Sequence, residues 1–150
     1  MTNNDVLRRV RYIFDFDDAK MIALFGMASY AVTRAEVSDW LKKDDDPSFQ
    51  ECSDSVLAVF LDGLICDMRG EKDGARHEPE TQLTNNMIFI KLKIALNLKA
   101  DDVVEILGLA DQSISKTELS AFFRRPGHKH YRECKDQILR NFLKGLQLKK

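Results

Sequence analysis

The chain predicts an all-α fold made by tandem duplication of a roughly four-helix unit, and three observations carry that prediction. The stretch FQECSDSVLAVFLDGL at Phe49 to Leu64 returns as YRECKDQILRNFLKGL at Tyr131 to Leu146, and a gapless shift of about 82 positions extends the match back to Thr2-Asn3-Asn4 against Thr84-Asn85-Asn86. Apolar residues recur at helical spacing in every segment, and no alternating strand pattern competes. Helix-opening S/T-x-x-E boxes stand at equivalent places, Thr33 with Glu36 and Ser115 with Glu118. The units are residues 1–68 and 84–150, joined by a linker at 69–83. A unit of this size buries only about 60% of its unfolded surface. The copies are therefore expected to share a core, as one compact domain with a pseudo-twofold axis.

In each copy the first helix carries a buried stripe, Val6, Leu7, Val10, Ile13 and Phe14, or Ile88, Leu92, Ala95 and Leu96. Asn4 or Asp5 is the expected cap in the first copy. The second helix follows an acidic start, Asp17-Asp18 or Asp101-Asp102, suited to a helix N-terminus, and is expected to stop near Gly26 or Gly108. The third buries Val37, Trp40 and Leu41, or Leu119, Phe122 and Phe123, and closes on Lys42-Lys43 or Arg124-Arg125. Pro47 and Pro126 mark the turn that follows. The fourth begins near Ser53 or Lys135 and turns Leu57, Phe60, Leu61 and Leu64, or Leu139, Phe142, Leu143 and Leu146, inward.

Composition excludes several classes. No apolar run approaches the roughly 18 residues a membrane span needs. The opening MTNNDVLRRV lacks a secretory pattern, so the cytoplasm is the expected compartment. Three cysteines, Cys52, Cys66 and Cys134, form no disulfide framework and are expected reduced. Net charge is −1, yet residues 1–65 carry 7 basic and 12 acidic side chains while residues 84–150 carry 13 basic and 7 acidic. The first copy is acidic and the second basic.

The segments NNDVLRRVRY, VSDWLKKDDDPSFQECSD, LAVFLDGLICDMRG, TNNMIFIKLKIALNLKADDVVEIL and FRRPGHKHYRECKDQILRNFLKGL together resemble the YehS-like family of bacterial proteins, whose function is unknown. The resemblance covers nearly the whole chain. It implies a small, tandem-duplicated bacterial protein and brings no reaction, ligand or catalytic residue with it.

Residues kept in both copies are first assigned to the fold: Asn3, Asn4, Glu51, Cys52 and Asp54, with Asn85, Asn86, Glu133, Cys134 and Asp136. Capping accounts for one asparagine of each pair, and the other is expected to bond a loop of the opposite copy. Function is sought where the copies differ. The largest difference is RRPGHKHYR, Arg124 to Arg132, against KKDDDPSFQ in the first copy. Arg124, Arg125, His128, Lys129, His130, Tyr131 and Arg132 could hold phosphates while the ring stacks on a base. The plain alternative is a solvated loop with Tyr131 packed inward.

His128, His130 and Cys134 give three zinc-type ligands where four are usual, and Cys134 has a twin, Cys52, with no histidines nearby. No metal and no cofactor are expected. The same duplication counts against Cys134 as a nucleophile, and no catalytic motif appears elsewhere. His77, in the linker, reads as a solvated side chain. VVEILGLADQSISKTELSAFFRR has the outline of a helix-turn-helix, but its connection from Leu109 to Ile114 is long for that motif.

The functional reading is a non-catalytic binding or regulatory module whose basic second copy contacts a phosphate-bearing partner, nucleic acid first. The alternative is a protein-interaction module binding an acidic protein or self-associating as a homo-oligomer through its acidic and basic loops. An enzyme without a recognisable motif stands third.

Overall fold

The structure is a computed structural model that describes residues 1–70 and 78–150, so His77 lies outside the described residues. Among the described residues there are eight helices and no strand. They are α1 (Asn3–Phe14), α2 (Asp18–Met27), α3 (Arg34–Leu41) and α4 (Asp54–Arg69), then α5 (Asn85–Ala95), α6 (Ala100–Leu109), α7 (Lys116–Phe122) and α8 (Asp136–Lys149). None is long and apolar enough to cross a membrane. The chain divides into two compact units, Met1–Leu83 and Thr84–Lys150. The end of the linker belongs to the first, since the Leu83 N–H donates to Asp54 Oδ2 at 2.9 Å.

In each unit the second and fourth helices pack most closely, α2 on α4 and α6 on α8. A glycine explains the approach. A methyl group at Gly63 of α4 would overlap the Leu24 carbonyl of α2, and one at Gly145 of α8 would overlap the Ile106 carbonyl of α6. The expected core residues of the fourth helices are all buried, together with Trp40 and Phe122.

The aromatic centre differs between units in an instructive way. Phe25 of α2 lies 5.5 Å from Trp40 and 5.3 Å from Phe60. In the second unit the ring against the equivalent pair, Phe122 at 6.3 Å and Phe142 at 4.7 Å, is Phe89 of α5. The repeat shift pairs Phe25 with Leu107 and Phe89 with Leu7. One Phe and one Leu serve each core, entering from exchanged helices, so side-chain volume is conserved while its source moves.

Several helix boundaries depart from the sequence reading. The cap of α1 is Thr2, whose side chain accepts from the Asp5 N–H at 3.1 Å while Asp5 accepts from the Thr2 N–H at 2.9 Å. Thr84 caps α5 through its side chain alone, accepting from the Met87 N–H at 3.2 Å. The hydroxyl of Thr2, two residues before Asn4, thus does the work expected of Asn4 or Asp5. The second helices do stop near Gly26 and Gly108 as expected, at Met27 and Leu109, but the glycines are not the residues that turn the chain. The chain enters the left-handed region three residues later, at Ser29 (φ 61°) and Asp111 (φ 62°), as it does after α1 and α5 at Asp15 and Asn97. Small polar side chains tolerate that conformation, which leaves the glycines as ordinary helical positions. The boxes opening α3 and α7 form as expected, Glu36 N–H to Thr33 Oγ1 and Glu118 N–H to Ser115 Oγ, both at 3.1 Å.

Candidate nucleic-acid interface

The segment joining α7 to α8 contains every residue of the RRPGHKHYR stretch, and its shape follows from the buried Asn86 of α5. The Asn86 amide donates to the Phe122 carbonyl at 3.0 Å and the Arg132 carbonyl at 2.8 Å, and its Oδ1 accepts the Cys134 N–H at 2.8 Å. Three of its bonding sites are spent on three points of one loop. Asn85 closes the base, donating to the Cys134 carbonyl and to Asp136 Oδ1. In the first unit Asn4 binds Trp40, Gln50 and Cys52, and Asn3 binds Cys52 and Asp54, atom for atom the same. The expectations that one asparagine caps the helix and the other reaches the opposite copy are both corrected by these bonds. Each pair pins the loop of its own unit, because a helix capped by threonine leaves both amides free to do so.

Within that frame the loop makes two tight turns. Pro126 and Gly127 (φ 93°) occupy the centre of a type II turn closed by His128 N–H to the Arg125 carbonyl at 3.1 Å. Tyr131 N–H then donates to the His128 carbonyl at 2.9 Å, and Arg132 N–H to the Ala121 carbonyl at 3.0 Å. The His130 N–H donates to His128 Nδ1 at 3.0 Å, and the two imidazoles lie 5.6 Å apart.

The predicted site residues therefore sit together on one ordered loop with different degrees of freedom. Arg124, Arg125, Lys129 and His130 are exposed, while His128 and Tyr131 are half-buried. Arg132 is exposed but committed, its guanidinium 5.3 Å over the Phe122 ring. Among the described residues, no carboxylate forms an ion pair with Arg124, Arg125 or Lys129. Lys93 of α5, which sequence reasoning passed over, stands 5.3 Å above the Phe123 ring, next to Arg124. Its signal in sequence was only the match of Arg11 with a lysine.

The remaining residues kept in both copies lie in different settings. Cys52 and Cys134 are buried, and burial pushes each thiol up to about 12, with neighbouring carboxylate charge adding to the effect. Each Sγ instead faces the carbonyl of the next residue at 3.7 Å. A thiol held neutral is neither a good nucleophile nor a ready zinc ligand. Among the described residues no group of three or more His, Cys, Asp or Glu side chains could hold a metal ion. Glu133 is exposed and paired with Lys135 at 3.0 Å. Glu51 is exposed beside an open pocket of about 380 Å³ that includes Asp44, Phe49 and Cys52.

The helix-turn-helix outline resolves into α6 and α7 with Ala110 to Ser115 between them, and α7 has only 7 residues. That connection exceeds the three or four residues of the motif.

Residues 3–70 and 85–150 each match one family model, described as "Protein of unknown function (DUF1456)". The chain belongs to this family. Two DUF1456 matches in tandem agree with the duplication read from the sequence, and residues 71–84 lie between them. The chain is 42% identical over 147 residues to the "Uncharacterized protein YehS" of Escherichia coli (strain K12), covering 97% of this chain and 94% of that one. No solved structure matches. Membership of DUF1456 accords with the resemblance noted from the sequence, and it adds no substrate or partner.

Proposed function

We propose that this protein is a non-catalytic binding module that contacts the phosphates of a nucleic acid through the α7–α8 loop of its second unit. The observation that supports this reading is the combination of exposed Arg124, Arg125 and Lys129, which have no ion-pair partner among the described residues, with a loop backbone fixed from below by Asn86. A loop backbone already held in place loses little freedom on binding, and these cations need give up no internal partner. Arginine forks suit phosphate oxygens, and each phosphate neutralised releases counterions. Tyr131, half-buried, supplies an aromatic surface beside them.

The test is fluorescence anisotropy of labelled single-stranded and duplex oligonucleotides at low and physiological salt. R124A/R125A should weaken binding and flatten its salt dependence while the melting temperature stays put. Unchanged affinity would remove the assignment. Salt-sensitive self-association of pure protein, without any effect of nucleic acid, would favour the pairing of acidic and basic loops instead.

A further inference from the structure

Comparing the two units around the loop shows which charges are meant to be free. In the first unit three cations near this position are neutralised internally. Arg8 meets Asp5 at 2.7 Å and Asp44 at 3.5 Å, Arg11 meets Asp18 at 3.7 Å, and Lys42 meets Asp39 at 2.7 Å. The repeat shift carries those four carboxylates to Met87, Ala100, Ala121 and Pro126, none of which bears charge. The cations fare differently. Arg11 becomes Lys93, Lys42 becomes Arg124 and Lys43 becomes Arg125, while Arg8 alone is lost, to Ile90. All four counter-charges are gone, while two of the three cations they neutralised are kept, as Lys93 and Arg124.

Resting on the nucleic-acid reading above, we infer that Lys93 of α5 belongs to the same phosphate-binding face as Arg124, Arg125 and Lys129. The face binds a nucleic-acid strand by its backbone, without sequence preference. Lys93 and the loop lie side by side, since the Lys93 Nζ is 5.3 Å above the ring of Phe123, the residue preceding Arg124. That ring is itself set edge-on against Phe89 at 5.0 Å, so the ammonium is steadied by an aromatic surface rather than by an acid. Cations on two elements, a helix and a loop, offer several phosphates a partner each. Backbone contacts of this kind give affinity and salt dependence but carry no sequence information.

The same comparison supplies the variants. A100D reinstates the acid that holds Arg11 in the first unit, at an exposed first-turn position where aspartate suits a helix, and leaves Lys93 itself intact. Binding of a labelled single-stranded oligonucleotide would be followed by anisotropy over a salt series for the full chain, K93A, K93R, A100D and R124A/R125A. We expect K93A and A100D each to weaken binding and to lower the slope of log K against log salt by about 0.7, the loss of one phosphate contact on a single strand. K93R should retain the slope, and oligonucleotides of different sequence should bind alike. If R124A/R125A weakens binding while K93A and A100D leave the slope unchanged, the extension to α5 is wrong and the loop reading stands. If the unmodified chain binds no oligonucleotide at low salt, both fail. Strong dependence on oligonucleotide sequence would overturn the backbone mode.

Discussion

Gly63 of α4 faces the carbonyl of Leu24 in α2 so closely that no side chain fits between them, and Gly145 faces Ile106 in the same way. Two independent copies of one close helix crossing have thus kept the one residue that permits it. G63A and G145A should each destabilise the protein by about 1–3 kcal/mol, because backbone would have to move to admit the methyl group. G26A and G108A are the controls. Both positions are helical with open space around them, so alanine there should gain about 0.5–1 kcal/mol. Thermal or denaturant melting of the four variants reads all four signs.

Asn86 carries a second prediction. N86A strips partners from the Phe122 and Arg132 carbonyls and the Cys134 N–H in a buried setting, and should cost on the order of 3 kcal/mol. N86D keeps the shape and can still accept from Cys134, but it cannot donate to either carbonyl. It should therefore destabilise comparably near neutral pH, which equilibrium unfolding would show.

The exchanged Phe and Leu give a third. F25L removes the ring that touches Trp40 and Phe60 and should cost about 1–2 kcal/mol. L7F alone should overpack the core. L7F/F25L rebuilds in the first unit the arrangement that Phe89 and Leu107 have in the second, and should recover most of the loss. A double-mutant cycle on melting data measures the coupling, and simple additivity would contradict the exchange.

The buried thiols set a pH limit. Each folded thiol is raised from an ordinary value of 9.0 to about 12, so the stability it contributes is complete below pH 9 and is lost as pH rises from there towards 12. C52A/C134A should show a shallower alkaline decline than the parent chain. Ellman's reagent should leave all three buried cysteines unmodified in the native protein near pH 8 and titrate them on unfolding.

Much of this fold was legible because duplication states it twice. Helix number, the S/T-x-x-E boxes and the buried faces of α4 and α8 depend on local pattern, which a sequence displays directly. The roles of Asn4 and Asn86 were not legible, since an asparagine before a helix looks like a cap whether or not a threonine upstream has taken that place. The left-handed residues Ser29 and Asp111 were hidden behind nearby glycines that looked better suited. Lys93 was missed for a different reason. Its meaning lies in the absence of Asp18's counterpart, a relation across space that only the paired Arg11 and Asp18 of the first unit reveal.

The most direct test of the account is an amide chemical-shift titration of the labelled full chain with a single-stranded oligonucleotide at low salt, because the first unit serves as an internal control. The account predicts perturbations gathered at Phe123 to Arg132 and around Lys93, with residues 41–50 of the acidic loop unmoved. Equal perturbation of the two loops, or none at either, would contradict it.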